Sequence, residues 1–119
     1  MLEDLVLYKK YVDLMYYGYT LMVKYPKCER YGIVVDIKNN LTKGLEDIIN
    51  YNKYKKIIFL DDLDKIIKVL LVLIRISYKM KYITNKNYSA FSKKLNIINN
   101  LRVGLYISNK NCNIKKEQN

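Results

Sequence analysis

The stretch LDDLDKIIKVLLVLIRISYKMKY, Leu60 to Tyr82, decides the fold. Within it Leu63, Ile67, Leu70, Ile74 and Ser77 recur at alternating spacings of four and three, and Ile66, Leu73 and Met80 widen the stripe. That is the pattern of a helix with one face against a core. Asp61, Asp62 and Asp64 crowd the start and Arg75, Lys79 and Lys81 the end, an order that complements the helix dipole and predicts limits at Leu60 and Tyr82. On the opposite face Asp61, Lys65, Lys68, Val72, Arg75 and Lys79 keep the same spacing. One face is apolar and the other mostly cationic, and the other segments have to supply partners for both.

Working outward, Leu2 to Val23 reads as a first helix, with Leu5, Tyr8, Val12, Met15, Tyr19 and Met22 as its stripe and Gly18 as a weak point. Pro26 ends it, because the residue before a proline is pushed out of the helical region. A second helix is expected from Cys28 or Glu29 to about Asn52, carrying Ile33, Ile37, Leu41, Leu45 and Ile48. The short Tyr25–Lys27 connection makes the two antiparallel, and Gly32 and Gly44 offer places for close helix approach. Beyond Tyr82, Ile83 to Asn87 is a turn with Thr84 or Asn85 as N-cap. A fourth helix from Lys86 to Ile107 presents Tyr88, Phe91, Leu95, Ile98 and Leu101 or Leu105. The β-branched run Tyr31 to Asp36 is the best strand candidate, yet Ile33 and Ile37 continue the helical spacing through Leu41. The expected fold is all-α, an antiparallel up-down-up-down four-helix bundle over residues 1–107, followed by a disordered, basic, Asn-rich tail over 108–119.

At 119 residues the chain makes one domain. Its 22 basic against 11 acidic residues leave a net charge of +11, which favours a polyanionic partner through counterion release. Compositional bias alone also enriches Lys together with Asn, Ile and Tyr. Met1 to Val6 holds Glu3 and Asp4 and has no basic start before an apolar block, and the apolar run Ile66 to Ile76 is broken by Lys68 and Arg75. The expectation is a cytoplasmic protein with no membrane partner. Cys28 and Cys112 make neither a disulfide framework nor a metal spacing.

The chemistry of a catalyst is missing. There is no histidine, and Gly18, Gly32, Gly44 and Gly104 are isolated rather than gathered in a phosphate loop. The close carboxylates are Asp61, Asp62 and Asp64, and Glu46 with Asp47. They are a Mg²⁺ site on one reading. On the other, which the spacing favours, they are charge at a helix start and a solvated pair. The expectation is a non-enzyme with no cofactor and no metal.

Two cationic stripes are the candidate nucleic-acid contacts: Lys65, Lys68, Arg75 and Lys79 on the third helix, and Lys10 and Lys24, with Tyr17 between them, on the first. Lysines at helical spacing track phosphates, and exposed tyrosines stack on unpaired bases. An ordinary solvated face with tyrosines filling the core is the alternative. Arg75, between Ile74 and Ile76, is either presented to a ligand or paired with Asp36 or Asp47.

Four segments follow one another in the chain: Tyr8-Lys9-Lys10-Tyr11, the junction Lys24-Tyr25-Pro26-Lys27-Cys28-Glu29-Arg30-Tyr31, the block Val72-Leu73-Ile74-Arg75-Ile76-Ser77, and Ile83 through Tyr88 followed by Leu95 and Gly104. In that order they resemble the Avd-like proteins, the accessory variability determinants of diversity-generating retroelements and the four-helix-bundle proteins encoded in ribosomal RNA intervening sequences. The resemblance implies a protomer of a homopentameric ring with a basic channel. In retroelement members the ring binds a reverse transcriptase and its template RNA and supports cDNA synthesis. In the intervening-sequence type it is an oligomeric interaction protein without a reverse transcriptase partner. Pro26 and Arg75 match family landmarks. Val103-Gly104-Leu105 stands where the family usually carries a Gly-Gly-Trp-like element, and the chain has no Trp.

Overall fold

A computed structural model describes Leu2 and residues 5–118, with side chains as far as residue 112. Four helices, α1 (Val6–Met22), α2 (Ile33–Tyr54), α3 (Ile57–Lys79) and α4 (Asn85–Gln118), form a rod of 57 × 22 × 22 Å. A single 3-10 turn, Lys27–Glu29, lies between α1 and α2, and there is no strand among the described residues. Named contacts fix the directions. Tyr11 and Tyr19 of α1 meet Leu41 and Lys38 of α2, Asp47 and Tyr54 of α2 meet Asp62 and Phe59 of α3, and Asp64 and Tyr78 of α3 meet Arg102 and Tyr88 of α4. Leu7 and Tyr17 of α1 meet Leu101 and Phe91 of α4. Each helix is antiparallel to two neighbours, and α1 and α3 stand diagonally across the bundle.

The centre of the α3 stripe is as the spacing predicts, with Leu63, Ile66, Ile67, Leu70, Ile74 and Ser77 all buried, but Met80, expected to widen it, is the C-cap and is exposed. In α1 the buried row is Leu7, Tyr11, Leu14, Gly18 and Leu21 rather than Leu5, Tyr8, Val12, Met15 and Tyr19. Two aromatic–glycine contacts explain the rotation. Tyr11 lies against Gly44 of α2 and donates to the Leu41 carbonyl at 2.7 Å, while Phe91 of α4 lies over Gly18, where a Cβ would stand 3.1 Å from its ring. Gly44 is thus the close approach expected of it, whereas Gly32 sits in the connection and N-caps α2 through its carbonyl.

The helix limits also differ. Lys56 is extended and caps α3, so α3 begins at Ile57 and no acidic residue falls in its first turn. The aspartates sit a turn further in, beyond the strongest part of the dipole. Lys81, at φ 66°, closes the other end in a Schellman arrangement: Tyr82 N–H donates to Ser77 O and Lys81 N–H to Tyr78 O, both at 2.9 Å. Thr84 is the N-cap of α4, its hydroxyl accepting from Asn87 N–H at 3.1 Å.

α4 does not end at Ile107. It runs to Gln118, so the residues expected as a disordered tail continue the helix as far as they are described. Asn109 supplies the reason. Its amide donates at 2.8 Å to the carbonyl of Lys55, the left-handed residue (φ 56°) that ends α2. The extension therefore satisfies a helix-end carbonyl of a neighbour. Asn109→Ala is expected to lower stability by about 1 kcal/mol, read from the midpoint of urea unfolding.

Candidate nucleic-acid interface

The outward side of α3 exposes Lys65, Lys68, Arg75 and Lys79. The four lie on one surface because the alternate stripe is buried down to Ser77, which donates to Leu73 O at 2.9 Å. Lys68 is tied to Asp64, its Nζ 2.8 and 2.9 Å from the two carboxylate oxygens. Asp64 also receives Arg102 of α4 at 3.4 Å. Arg75 makes no ion pair among the described residues, so neither Asp36 nor Asp47 holds it and its guanidinium faces solvent. Apolar side chains interleave with these cations. Val69, Val72 and Ile76 are 37, 57 and 43 % exposed, and Val69 and Val72 share a shallow groove with Lys65 and Lys68.

Lys10 is exposed on α1, diagonal to α3, and Lys24, expected on the same helix, is exposed in the turn beyond its end at Met22. The six candidates therefore make two surfaces. Tyr17 is not free to stack between these two lysines. Its ring packs on Phe91 (centroids 5.8 Å apart), and Lys94 lies 5.3 Å over its face. Lys94, which sequence reasoning missed, stands beside Lys10 in the α1–α4 groove, where Asp13 lies with them. Only the pairing of α1 with α4 reveals that neighbour, since the two lysines are far apart in the chain.

The three aspartates at the head of α3 do not converge. Asp61 is exposed, Asp64 is held by Lys68 and Arg102, and Asp62 turns to Asp47 of α2. Asp47, expected to be solvated beside Glu46, is instead only 8 % exposed, with one carboxylate oxygen unpartnered. Burial, then the Asp62 carboxylate, then Glu46 push its acid up to about 8. Tyr11, on the adjoining helix, has its phenol raised as well, first by burial and then by the charge of Asp47.

The architecture is that of an antiparallel four-helix bundle with one mixed cationic and apolar face. The chain belongs to the bAvd-like family, whose model matches residues 5–107, and it is an accessory protein of the Avd type. No curated protein matches it. No helix among the described residues is long and apolar enough to cross a membrane.

Proposed function

We propose that the chain is a non-catalytic, self-assembling accessory that holds template RNA of a diversity-generating retroelement for a reverse transcriptase, and so supports cDNA synthesis. The observation that carries this reading is the outward face of α3. It sets Lys65, Arg75 and Lys79 on one exposed surface of a bAvd-like chain with net charge +11. Cations at helical spacing follow a phosphate backbone, and binding of that kind gains from counterion release. Several copies brought together would repel one another unless a polyanion or a large apolar contact offsets the charge. The exposed Val69, Val72 and Ile76 interleave with these cations, so a face that holds RNA is not also the subunit contact, and under this reading the contact of a ring, five-fold in the family's manner, lies on another side of the rod.

The same apolar row favours a second reading, an oligomeric interaction protein of the ribosomal intervening-sequence type that keeps its assembly and has no reverse transcriptase partner. Fluorescence anisotropy with a structured RNA separates the two. Under the first reading affinity falls steeply with added salt. The triple variant Lys65→Glu/Arg75→Glu/Lys79→Glu then weakens binding by about 100-fold and flattens the salt dependence by about two units of slope. Lys10→Glu, on the other surface, changes it by much less. Absence of RNA association at low salt, with the oligomer intact by light scattering, leaves the second.

A further inference from the structure

At the end of the rod where α1 gives way to α2, the chain leaves Met22, passes an extended Pro26 (ψ 146°) and makes the 3-10 turn before α2 begins at Ile33. Tyr25 of this connection is buried against Tyr82, and beside it the detour leaves a half-enclosed hollow of about 420 Å³. That volume is within the range of small-molecule sites, about 300–1,000 Å³. Its floor is apolar, with Met22 and Val34 both buried. One wall is the ring of Tyr19; Lys38 covers one of its faces, with Nζ 5.1 Å from the ring centroid, so stacking is open to the other face alone, unlike Tyr17, which Phe91 and Lys94 both cover. Every charged side chain lining the hollow is a cation: Lys27, Arg30 and Lys38. Lys27 and Arg30 share one edge, because side chains three apart on a 3-10 turn eclipse, and Arg30 N–H donates to Lys27 O at 3.1 Å.

We infer that this hollow is a nucleoside phosphate site, with the base against Tyr19 and the apolar floor and the phosphate held by Arg30, Lys27 and Lys38. Each part has its chemistry. An aromatic wall beside an apolar floor takes a flat heteroaromatic ring, a guanidinium takes phosphate oxygens in pairs, and two ammonium groups complete the neutralisation. A purely apolar ligand would leave the three exposed cations at the rim unused, and a bare anion would leave Tyr19 and the floor unused. The occupant is either a free mononucleotide or the phosphorylated end of an unpaired strand, which share this chemistry. The inference does not depend on the α3 face, which is a different surface.

Isothermal titration of the intact chain with AMP, adenosine and inorganic phosphate at low salt tests it. AMP is expected to saturate one site per chain, with adenosine and inorganic phosphate each weaker by about tenfold or more. Arg30→Ala and Tyr19→Ala each weaken AMP by about tenfold while Tyr19→Phe retains it, since the ring and not the hydroxyl does the stacking. Both side chains are exposed, so circular dichroism should show unchanged helix content in all three variants. A 5′-phosphorylated oligonucleotide that displaces AMP, where its unphosphorylated form does not, identifies a strand end. AMP binding without displacement by either identifies the free nucleotide. No saturable AMP binding at millimolar concentration, inorganic phosphate binding as tightly as AMP, or AMP binding indifferent to Arg30→Ala and Tyr19→Ala each overturn the inference. Loss of RNA binding in the α3 triple variant with AMP binding retained shows the two surfaces to be separate.

Discussion

Gly44→Ala is expected to lower the stability of the bundle by about 3 kcal/mol, although Ala for Gly within a helix ordinarily gains about 1 kcal/mol. The reversal comes from Tyr11. A Cβ on Gly44 would collide with the Tyr11 hydroxyl and stand 2.7 Å from its Cζ. The ring has nowhere to retreat. Tyr11 is fully buried, and its hydroxyl is anchored on Leu41 O, one turn before Gly44 on the same helix. Moving it breaks that hydrogen bond and drives an aromatic ring into a core that is already filled. Urea unfolding followed by far-UV circular dichroism measures the loss. A double-mutant cycle assigns it: Tyr11→Leu alone costs about 3 kcal/mol as a large-to-small change, but with Gly44→Ala present the pair is less destabilised than the sum of the two. Gly104→Ala is the control. Its Cβ meets nothing within 4 Å, so this variant gains rather than loses stability. Equal effects at Gly44 and Gly104 would mean that Tyr11 does not press on Gly44.

The same contact shows where sequence reading reaches and where it stops. The α3 stripe was legible because the opposite face carries Asp61, Lys65, Lys68, Arg75 and Lys79, which leaves Leu63, Ile67, Leu70, Ile74 and Ser77 as the row without a charge, although Val69, Val72 and Ile76 are apolar and exposed among the cations. α1 has apolar or aromatic residues nearly all round, so a row through Tyr8 and Val12 keeps the spacing as well as the row through Tyr11 and Leu14. The choice lies with the partners. Gly18 belongs inside because Phe91 needs the space, and a glycine on its own reads as a defect. Helix ends were obscured for a related reason, since Lys55 and Lys81 occupy left-handed positions that Gly or Asn would have announced. For the cationic surface, the α3 row was legible on its own helix, whereas Lys24 falls in the turn beyond Met22 and Tyr17 turns to Phe91; an alternating bundle also sets the first and third helices on a diagonal, so Lys10 falls on another side from Lys65 and Lys79. Asp47 reads as solvated in the sequence because it stands next to another carboxylate, Glu46. Its place one turn beyond Gly44 and beside Ile48 puts it on the buried side of α2, where Asp62 of α3 meets it.

That carboxyl sets the second large effect: stability should fall as pH rises from about 4 to about 8, and Asp47→Asn should remove the fall. In the unfolded chain Asp47 releases its proton near 3.8, whereas in the bundle it holds it up to about 8. Between these values the folded state binds more protons than the unfolded one, so the contribution to stability declines with pH and levels off above the folded value. The groups facing the carboxyl are the Asp62 carboxylate from α3, Glu46 on its own helix and the Tyr11 phenol from α1, and none of them supplies a positive charge. A protonated Asp47 donates to Asp62; a second negative charge there would be buried against the first. Because Asp62 is exposed, solvent screens part of the repulsion, and the decline assigned to Asp47 is about 2 kcal/mol rather than the full linkage value. Asn keeps the donor and cannot ionise, so Asp47→Asn should match the natural chain near pH 4 and exceed it by about 2 kcal/mol at pH 8. Asp62→Asn, by removing the facing charge, should shrink the same difference from the other side of the seam. Unfolding curves for the natural chain and Asp47→Asn that run parallel across this range would show that α2 and α3 meet without a shared proton between them.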